Sequence, residues 1–467
     1  MKSRNWLPPA AIAAAVLFAY LNAFRGAFQF DDFNVIVDNP AVHSLAAWLA
    51  DAPRGIRPLL KLTYALNWIW GPGPLGFHLF NVAVHAANAI LVYHLSRRIL
   101  PARVGTQNVA SSIGPWFAAL LFAIHPVQTE AVTYISGRSM SLMAFFYLGS
   151  LLTYVRGAET GSRLHLYAIS PALFVIAALT KEVSLTLPAA LLLWEAANGG
   201  LRNRWRSVAR RQAAHWMVLS CAAAAVLLHP GYRYMVEYGL GSRPVGQNLL
   251  SQVHGVSYLL SRMVMVHRLN IDPDLPVFAA WTPVLAAEAV MLLSVFALGC
   301  ASFRKSPALG FGILWFCLQM LPSNSVIPRL DIANERHLYL ASWGVFLSAA
   351  AGLERVRSMR SGAGRRIPAA AMLVAILLAG FTIGRNRAYG SEVALWEETV
   401  RLSPGKPRAH NNLGYAYQLA GMPVKAAASY RETLRLDAGF RIARGNLAVL
   451  DAPGREGGFL TKGERAY

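Results

Sequence analysis

The sequence predicts an all-α protein, a polytopic membrane helix bundle followed by a short polar region of helical repeats. Three observations lead there. Of the 467 residues, 55% are hydrophobic and only 14% charged, with a mean hydropathy of +0.38, whereas soluble domains carry about a quarter charged residues. The apolar residues gather into runs that approach the roughly 30 Å hydrocarbon core of a bilayer. From about residue 385 the composition turns polar and repeats itself after 34 residues.

Eleven apolar runs are candidate spans: 7–24, 76–95, 113–124, 139–154, 165–179, 183–197, 213–229, 281–300, 308–321, 338–353 and 368–384. Several fall short of the roughly 20 residues a full crossing needs, and short helices leave a water-filled recess at one face. Lys2 and Arg4 precede the first run, as in a signal peptide, but no clear small-x-small cleavage site follows it. It reads as an uncleaved first helix. The net charge of +21 would suggest nucleic acid in a soluble protein. Here the basic residues collect in alternate short loops. Lys2 and Arg4 are followed by Arg97, Arg98 and Arg103, by Arg156 and Arg163, and by Arg202, Arg204, Arg206, Arg210 and Arg211. Arg304 and Lys305, then Arg355, Arg357, Arg360, Arg365 and Arg366, complete the set. By the positive-inside rule this face is cytoplasmic, and nucleic acid is excluded as a partner.

The segment 248–266 contains Gln252, His254 and Arg262, with its apolar residues at helical spacing. As an amphipathic helix lying flat at the outer interface it keeps every basic loop inside. Residues 1–384 then form the membrane domain, and 385–467 lie on the non-cytoplasmic side. In that second region a shift of 34 residues maps Thr399 onto Thr433, Leu402 onto Leu436, Asn412 onto Asn446 and Leu413 onto Leu447. This is the tetratricopeptide period, with Leu413, Gly414, Tyr417, Ala426 and Tyr430 at its small and aromatic packing positions. Ala438 stands where a proline is usual. One repeat is complete, with partial neighbours, so packing on the membrane domain and binding a polypeptide acceptor are both open roles.

Ionisable residues concentrate in the outer loops. Asp31 and Asp32 follow the first run, with Arg57 and Lys61 later in the same loop; the next outer loop carries His125, Glu130 and Arg138. Lys181 and Glu182 form a third connection, and Arg329, Asp331, Glu335, Arg336 and His337 a fourth. Charge at membrane depth is costly and generally pairs or serves a function. A solvated pair accounts for the two aspartates taken alone, and structural ion pairs for Glu130, Lys181 and Glu182. Four charged loops on one face instead suggest an assembled site. His78, Asn81, His85 and Asn88 make a stripe on one helix face, better read as interhelical hydrogen bonding than as metal ligation. Cys221, Cys300 and Cys317 lie within apolar runs without metal spacing or a disulfide framework, and read as buried small side chains.

The segments FDDFNVIVDNP, RPLLKLTYALN, FHLFNVAVHAANAILVYHL, FAIHPVQTEAVTYISGRS, LTKEVSLTLP and NERHLYLASWG resemble, in order, the membrane half of tetratricopeptide-containing transmembrane O-mannosyltransferases and their bacterial relatives. These belong to the GT-C superfamily of lipid-phosphate-sugar-dependent glycosyltransferases. The resemblance covers nearly the whole chain. Two departures stand out: a much shorter repeat array, and a 267–275 stretch (HRLNIDPDL) only loosely like its counterpart.

The resemblance implies inverting transfer of a sugar, a hexose such as mannose, from a polyprenyl- or dolichyl-phosphate carrier to a hydroxyl, on protein or another acceptor. The place would be the periplasmic side of a bacterial inner membrane. No nucleotide fingerprint is present, which fits a donor already on lipid. The chemistry needs a carboxylate to take the acceptor proton, cations for the departing phosphate and a recess that excludes water. Asp31 is the expected base, with Asp32 as orienting neighbour or substitute. Adjacent residues on an extended loop point opposite ways. Arg138, Arg336, Arg57 and Lys61 are the candidates for phosphate; Glu130, His125, Lys181, Glu182 and Glu335 are candidates to position sugar or acceptor. No cofactor is specified, and a divalent metal stays open. Two rival functions stay open as well: a transporter or flippase of lipid-linked saccharide, and an inactive membrane anchor presenting its repeats as a scaffold.

Overall fold

The computed structural model describes residues 7–100, 113–359 and 366–451. Lys2, Arg4, Arg103, Arg360 and Arg365, read above as cytoplasmic, lie outside them. Among the described residues every regular element is helical. The chain runs through α1 (Leu7–Tyr20), α2 (Leu45–Asp51), α3 (Pro58–Trp70), α4 (Pro74–Ile99), α5 (Gly114–Ile124), α6 (Thr129–Val132) and α7 (Arg138–Thr160). It continues as α8 (Ser170–Thr180), α9 (Leu187–Ala197), α10 (Gly200–Leu228), α11 (Pro230–Ser242), α12 (Val245–Arg262) and α13 (Pro283–Ser302). Then come α14 (Pro307–Met320), α15 (Leu338–Met359), α16 (Arg366–Asn386), α17 (Glu392–Leu402), α18 (Pro407–Leu419), α19 (Pro423–Leu436) and α20 (Arg441–Asp451). Each of the eleven apolar runs falls on one of these helices.

Five helical stretches are long and apolar enough to cross a membrane by length and composition: Leu7–Arg25, Pro74–Ile99, Arg204–Leu228, Pro283–Ser302 and Ile367–Gly390. Gly114–Ile124, His165–Thr180 and Pro307–Met320 are apolar but shorter. Local chemistry sets the boundaries. Proline opens α3, α4, α13, α14, α18 and α19, a position whose N–H would have no helical acceptor. Ser44, Thr282 and Ser391 cap α2, α13 and α17 by accepting from the third amide of each helix.

The centre of the bundle is α4, α5, α7, α14 and α15. The α14–α15 pair is close because Gly312 and Gly344 face one another: a Cβ on either would lie 2.4 or 2.2 Å from the other's carbonyl oxygen. Trp315 and Trp343 fill the space beside them, edge to face at 4.6 Å. The polar stripe on α4 ties this core together. Asn81 donates to the carbonyls of Val132 and Ile135, His85 bonds the Tyr339 hydroxyl at 2.8 Å, and Asn88 donates to the Ser141 carbonyl at 2.7 Å. Asn81, His85 and Asn88 thus serve interhelical hydrogen bonding, whereas both buried ring nitrogens of His78 lack a hydrogen-bond partner among the described residues.

Two expectations need correction. Cys221 and Cys300 are exposed and Cys317 is half-buried, all three free. Cys317 packs against the edge of the main core and Cys221 lines an apolar cavity, so neither is enclosed in the core as expected. The 248–266 segment is helical to Arg262, within α12, but polar residues of that helix are turned inward. Asn248 and Gln252 are buried and bond the 324–332 loop, with Asn248 Nδ2 2.6 Å from the Ser325 carbonyl and Gln252 Nε2 3.1 Å from that of Ile332.

The C-terminal helices α17 to α20 pack consecutively around Trp396, Leu413, Tyr417 and Tyr430. Residues 34 apart occupy like places. Thr399 and Thr433 are both buried and each donates to the carbonyl four residues back, and Asn412 and Asn446 are both buried. A Cβ on Gly414 would meet the Tyr430 ring at 2.7 Å, so α18 and α19 approach closely there. This region lies against the membrane portion. Asp272, from the HRLNIDPDL stretch, pairs with Lys406 and Arg408, and Arg408 also reaches Asp331.

Candidate active site

Asp31 and Asp32 open a short helical turn over residues 31–37, where an extended loop was expected. Asp32 makes the turn. Its N–H donates to the Gln29 carbonyl at 2.8 Å, and the Gln29 N–H donates back to Asp32 Oδ2 at 2.9 Å, the reciprocal logic of a capping box. Asp32 Oδ1 accepts from the Ser136 N–H at 2.7 Å and from the Ser136 hydroxyl. Burial pushes this carboxyl up to about 7 against those hydrogen bonds. Asp32 is therefore a clamp between the first outer loop and the 134–138 turn.

Asp31 is differently placed. Its N–H donates to the Tyr134 hydroxyl at 2.9 Å, and its side chain, 30% exposed, faces Arg336 with Oδ2 3.8 Å from Nη1. Together with Arg57, Lys181, Arg329 and Arg336 it lines a recess of about 260 Å³, walled further by Tyr64, Ser136 and Ser139.

The cations of the recess are held from behind. Glu130, buried, accepts from the Arg336 amide at 2.9 Å and lies 3.7 Å from its guanidinium. Burial raises Glu130 to about 7 despite Arg336. Arg57 makes a two-pronged pair with Glu182 at 3.0 and 2.7 Å. Burial works to raise Glu182, but that pair outweighs it and holds the carboxyl down to about 2. Lys181 Nζ donates to Ser139 Oγ at 3.0 Å. Burial, followed by the nearby Arg57 and Arg336, depresses its amine well below the usual lysine range. His337 is pushed down in the same way, by burial and then by Arg329, Arg336 and Lys181. So much positive charge around one solvent-reached carboxylate suits an anionic ligand group, which would be met by planar guanidinium donors.

The fold does not bring every candidate here. Arg138 is fully buried behind the recess. Its guanidinium donates to Asn81 Oδ1 at 2.6 Å and to the Phe77 and Thr63 carbonyls, with Tyr64, Phe77 and Phe80 rings around it. Lys61 pairs with Asp51 at 2.7 Å outside the recess. His125 caps the turn after α5 by accepting from the Val127 amide, and its other nitrogen lies 3.1 Å from the Met263 carbonyl. Glu335 is buried and accepts from the Asn270 amide at 2.7 Å; burial raises it to about 8. Among the described residues no group of three or more His, Cys, Asp or Glu side chains is placed to hold a metal ion.

Sequence reasoning named Arg329 among the charges of the fourth outer loop without giving it a role, and did not single out Tyr134 or Ser136. Their contributions depend on loops that meet in space, and nothing in their local spacing marks them. One backbone signal does point here. Among the described residues the non-glycine positions with positive φ are Phe30 (42°) and Arg57 (54°); both flank the recess, and strained backbone of this kind clusters at functional sites. Arg57 begins α3 in that conformation.

Beside the polar recess lies an apolar cavity of about 470 Å³ between α8, α10 and the turn before α3, lined by Pro58, Leu179, Met217, Val226 and Tyr232. Glu182 lines this cavity and its partner Arg57 lines the recess. The ion pair stands between the two.

No family model matches the chain. Among curated proteins it is similar to the protein O-mannosyl-transferase F38B6.6 of Caenorhabditis elegans, 24% identical over 460 residues, covering 90% of this chain and 61% of that one. It is 25% identical over 518 residues to the protein O-mannosyl-transferase Tmtc3 of Drosophila melanogaster, covering 93% and 55%. With the human protein O-mannosyl-transferase TMTC3 it shares 24% identity over 482 residues, covering 87% and 49%. The chain thus spans about half the length of the curated relatives it matches.

Proposed function

We propose that this chain is an integral membrane glycosyltransferase of the GT-C type, transferring mannose or a similar hexose from a polyprenyl-phosphate carrier to a hydroxyl on protein. The observation that carries the reading is the pairing of two cavities: Asp31 faces a ring of cations, and an apolar cavity opens on the far side of the Arg57–Glu182 pair. A lipid-linked sugar phosphate has that polarity along its length. Its hydrocarbon would lie in the apolar cavity and its phosphate against Arg57, Arg329 and Arg336, leaving the anomeric carbon near Asp31. Asp31 takes the proton of the acceptor hydroxyl as its oxygen bonds to the anomeric carbon. The carbon–phosphate oxygen bond breaks, and its electron pair leaves on a phosphate held by guanidinium groups. Attack opposite to departure inverts the anomeric centre. Glu130 and Lys181 position Arg336 and the sugar side of the recess, and Arg138 supports it from behind.

In this reading the eleven apolar helices cross the bilayer, the recess and the C-terminal tetratricopeptide-like helices lie on the outer side, and the membrane is a bacterial inner one. Relatives named as protein O-mannosyl-transferases support a protein acceptor. The test is transfer of radiolabel from a polyprenyl-phosphate mannose to a peptide or protein acceptor by the purified chain. Asp31→Asn should lower turnover by about 10²–10⁴-fold with donor binding retained. Movement of the intact lipid-linked sugar across vesicles without transfer would establish a transporter instead.

A further inference from the structure

Phe30 immediately precedes Asp31 and has a φ of 42°, a conformation that crowds the Cβ of any residue but glycine. Something must hold it there, and the contacts that do come from the other end of the chain. The Phe30 ring packs edge to face on Trp396 at 5.2 Å and 81°, and its N–H donates to Glu392 Oε1 at 3.2 Å. Gln29 Nε2 donates to the Tyr389 carbonyl at 3.1 Å, which also accepts from the Ala27 amide at 3.4 Å. Trp396 is buried and belongs to α17. The C-terminal helices are in turn fixed at a second place by the Lys406 and Arg408 pairs with Asp272 and Asp331.

The next residue along is pinned as well. Asp32 is bonded to Gln29 on the far side of Phe30 and to Ser136, and the Asp31 N–H donates to the Tyr134 hydroxyl, so the turn that carries Asp31 closes over Phe30 in its left-handed conformation. A Phe30 relaxed to negative φ would break the Asp32–Gln29 bonds that span it and turn the Asp31 carboxylate away from Arg336, leaving Asp32 held by Ser136 alone. We propose that Trp396 and Glu392 are positioning residues for the reaction: by holding Phe30 in its left-handed conformation, the C-terminal helices aim Asp31 into the cationic recess. This rests on the glycosyltransferase reading for its kinetic consequence but not for its geometry.

Two measurements separate the claims. In the transfer assay, Trp396→Ala should lower kcat by about 10- to 100-fold while donor KM stays within about threefold, because misplacement of a reacting group by about 1 Å costs that order in rate. Trp396→Phe, which keeps an aromatic edge, should restore most of the loss. Phe30→Gly should retain more turnover than Phe30→Ala, because glycine enters the left-handed region freely; a packing role alone gives the opposite order. The second measurement needs no activity. In a background with Cys221, Cys300 and Cys317 replaced by alanine, the thiol of Asp31→Cys should react faster with an anionic methanethiosulfonate than with a cationic one. Adding Trp396→Ala, or Phe30→Ala if the tryptophan variant does not fold, should bring that ratio toward one. An unchanged ratio together with unchanged kcat overturns the proposal. A ratio that falls while even the unmodified chain transfers no sugar upholds the positioning and rejects the function.

Discussion

The oxygens of Asp32 accept from the Gln29 and Ser136 amides and the Ser136 hydroxyl, whereas Asp31 Oδ2 faces the Arg336 guanidinium at 3.8 Å across the recess. The sequence left Asp32 open as an orienting neighbour or a substitute for Asp31; the hydrogen bonds give the two carboxylates different surroundings. The same contrast divides the arginines. Arg336→Lys keeps a charge but loses the planar fork, and should raise donor KM with folding intact, as read by donor titration and thermal unfolding. Arg138→Lys should act on stability. It strips hydrogen bonds from a buried cation, a loss on the order of 3 kcal/mol, so folded yield and Tm in detergent should drop. Glu130 and Glu335, raised to about 7 and 8 from a usual 4.5, give a pH signature. Between pH 4.5 and 8 the folded chain keeps protons that the unfolded chain has released, so stability falls as pH rises through that window and levels above it. Asp32, raised to about 7, adds to this fall and the depressed Lys181 amine opposes it, so the glutamate contribution is read as the difference between the Tm curves of the protein and of a carboxylate variant from pH 6 to pH 8. Glu335→Gln should flatten the part of that fall above pH 7, and an equally steep curve in the variant would remove Glu335 as its source.

At the scale of the element, the turn from Glu130 to Arg138 does most to build the site. It delivers Glu130 to the back of Arg336, Tyr134 to the Asp31 amide and Ser136 to Asp32. The turn closes at Gly137, where a Cβ would lie 2.0 Å from the Glu130 carbonyl oxygen. Backbone cannot yield as a flexible side chain can. Gly137→Ala should therefore displace Glu130, destabilise the chain by about 1–3 kcal/mol and reduce transfer more than its distance from Asp31 suggests. Thermal unfolding and the transfer assay measure the two effects. The helices themselves were legible in sequence, because apolar runs, first-turn prolines and Ser or Thr caps are local signals. The inward face of α12 was not. Its polar residues pair with loop carbonyls some 77–80 residues away, and an amphipathic pattern does not say whether its polar side meets water or protein.

For the whole molecule, the C-terminal helices and the recess share one face. The contacts of Phe30 with α17, and of Asp272 and Asp331 with Lys406 and Arg408 at the start of α18, place these helices beside the Asp31 loop. Under the proposed reading the positive-inside rule, applied to the basic loops, predicts recess and C-terminal helices outside together. Alkaline phosphatase fused after residue 400 should be active and a fusion near residue 208 inactive. The reverse pattern would turn the molecule over and remove the acceptor side from the outer face.

The sequence by itself determined the helical class, the position of each apolar helix, the charge alternation and the start of the polar C-terminal region, because these rest on composition and on periodicities of a few residues. It also marked Asp31, Arg57, Lys181 and Arg336 as charges on outer loops. Tertiary structure alone decided which of those charges meet. Arg138 and Lys61 read in sequence as outer-loop charges of the same kind, yet one, at the start of α7, is enclosed by α3 and α4 and the other, on α3, is paired with Asp51. The role of Phe30 was equally hidden, since a left-handed phenylalanine is set by Trp396 and Glu392, more than 360 residues away. Local patterns fix elements because their energies act within a turn or two of chain. A site of this kind depends on long-range packing that brings six separate segments to one recess, and no window of sequence contains it.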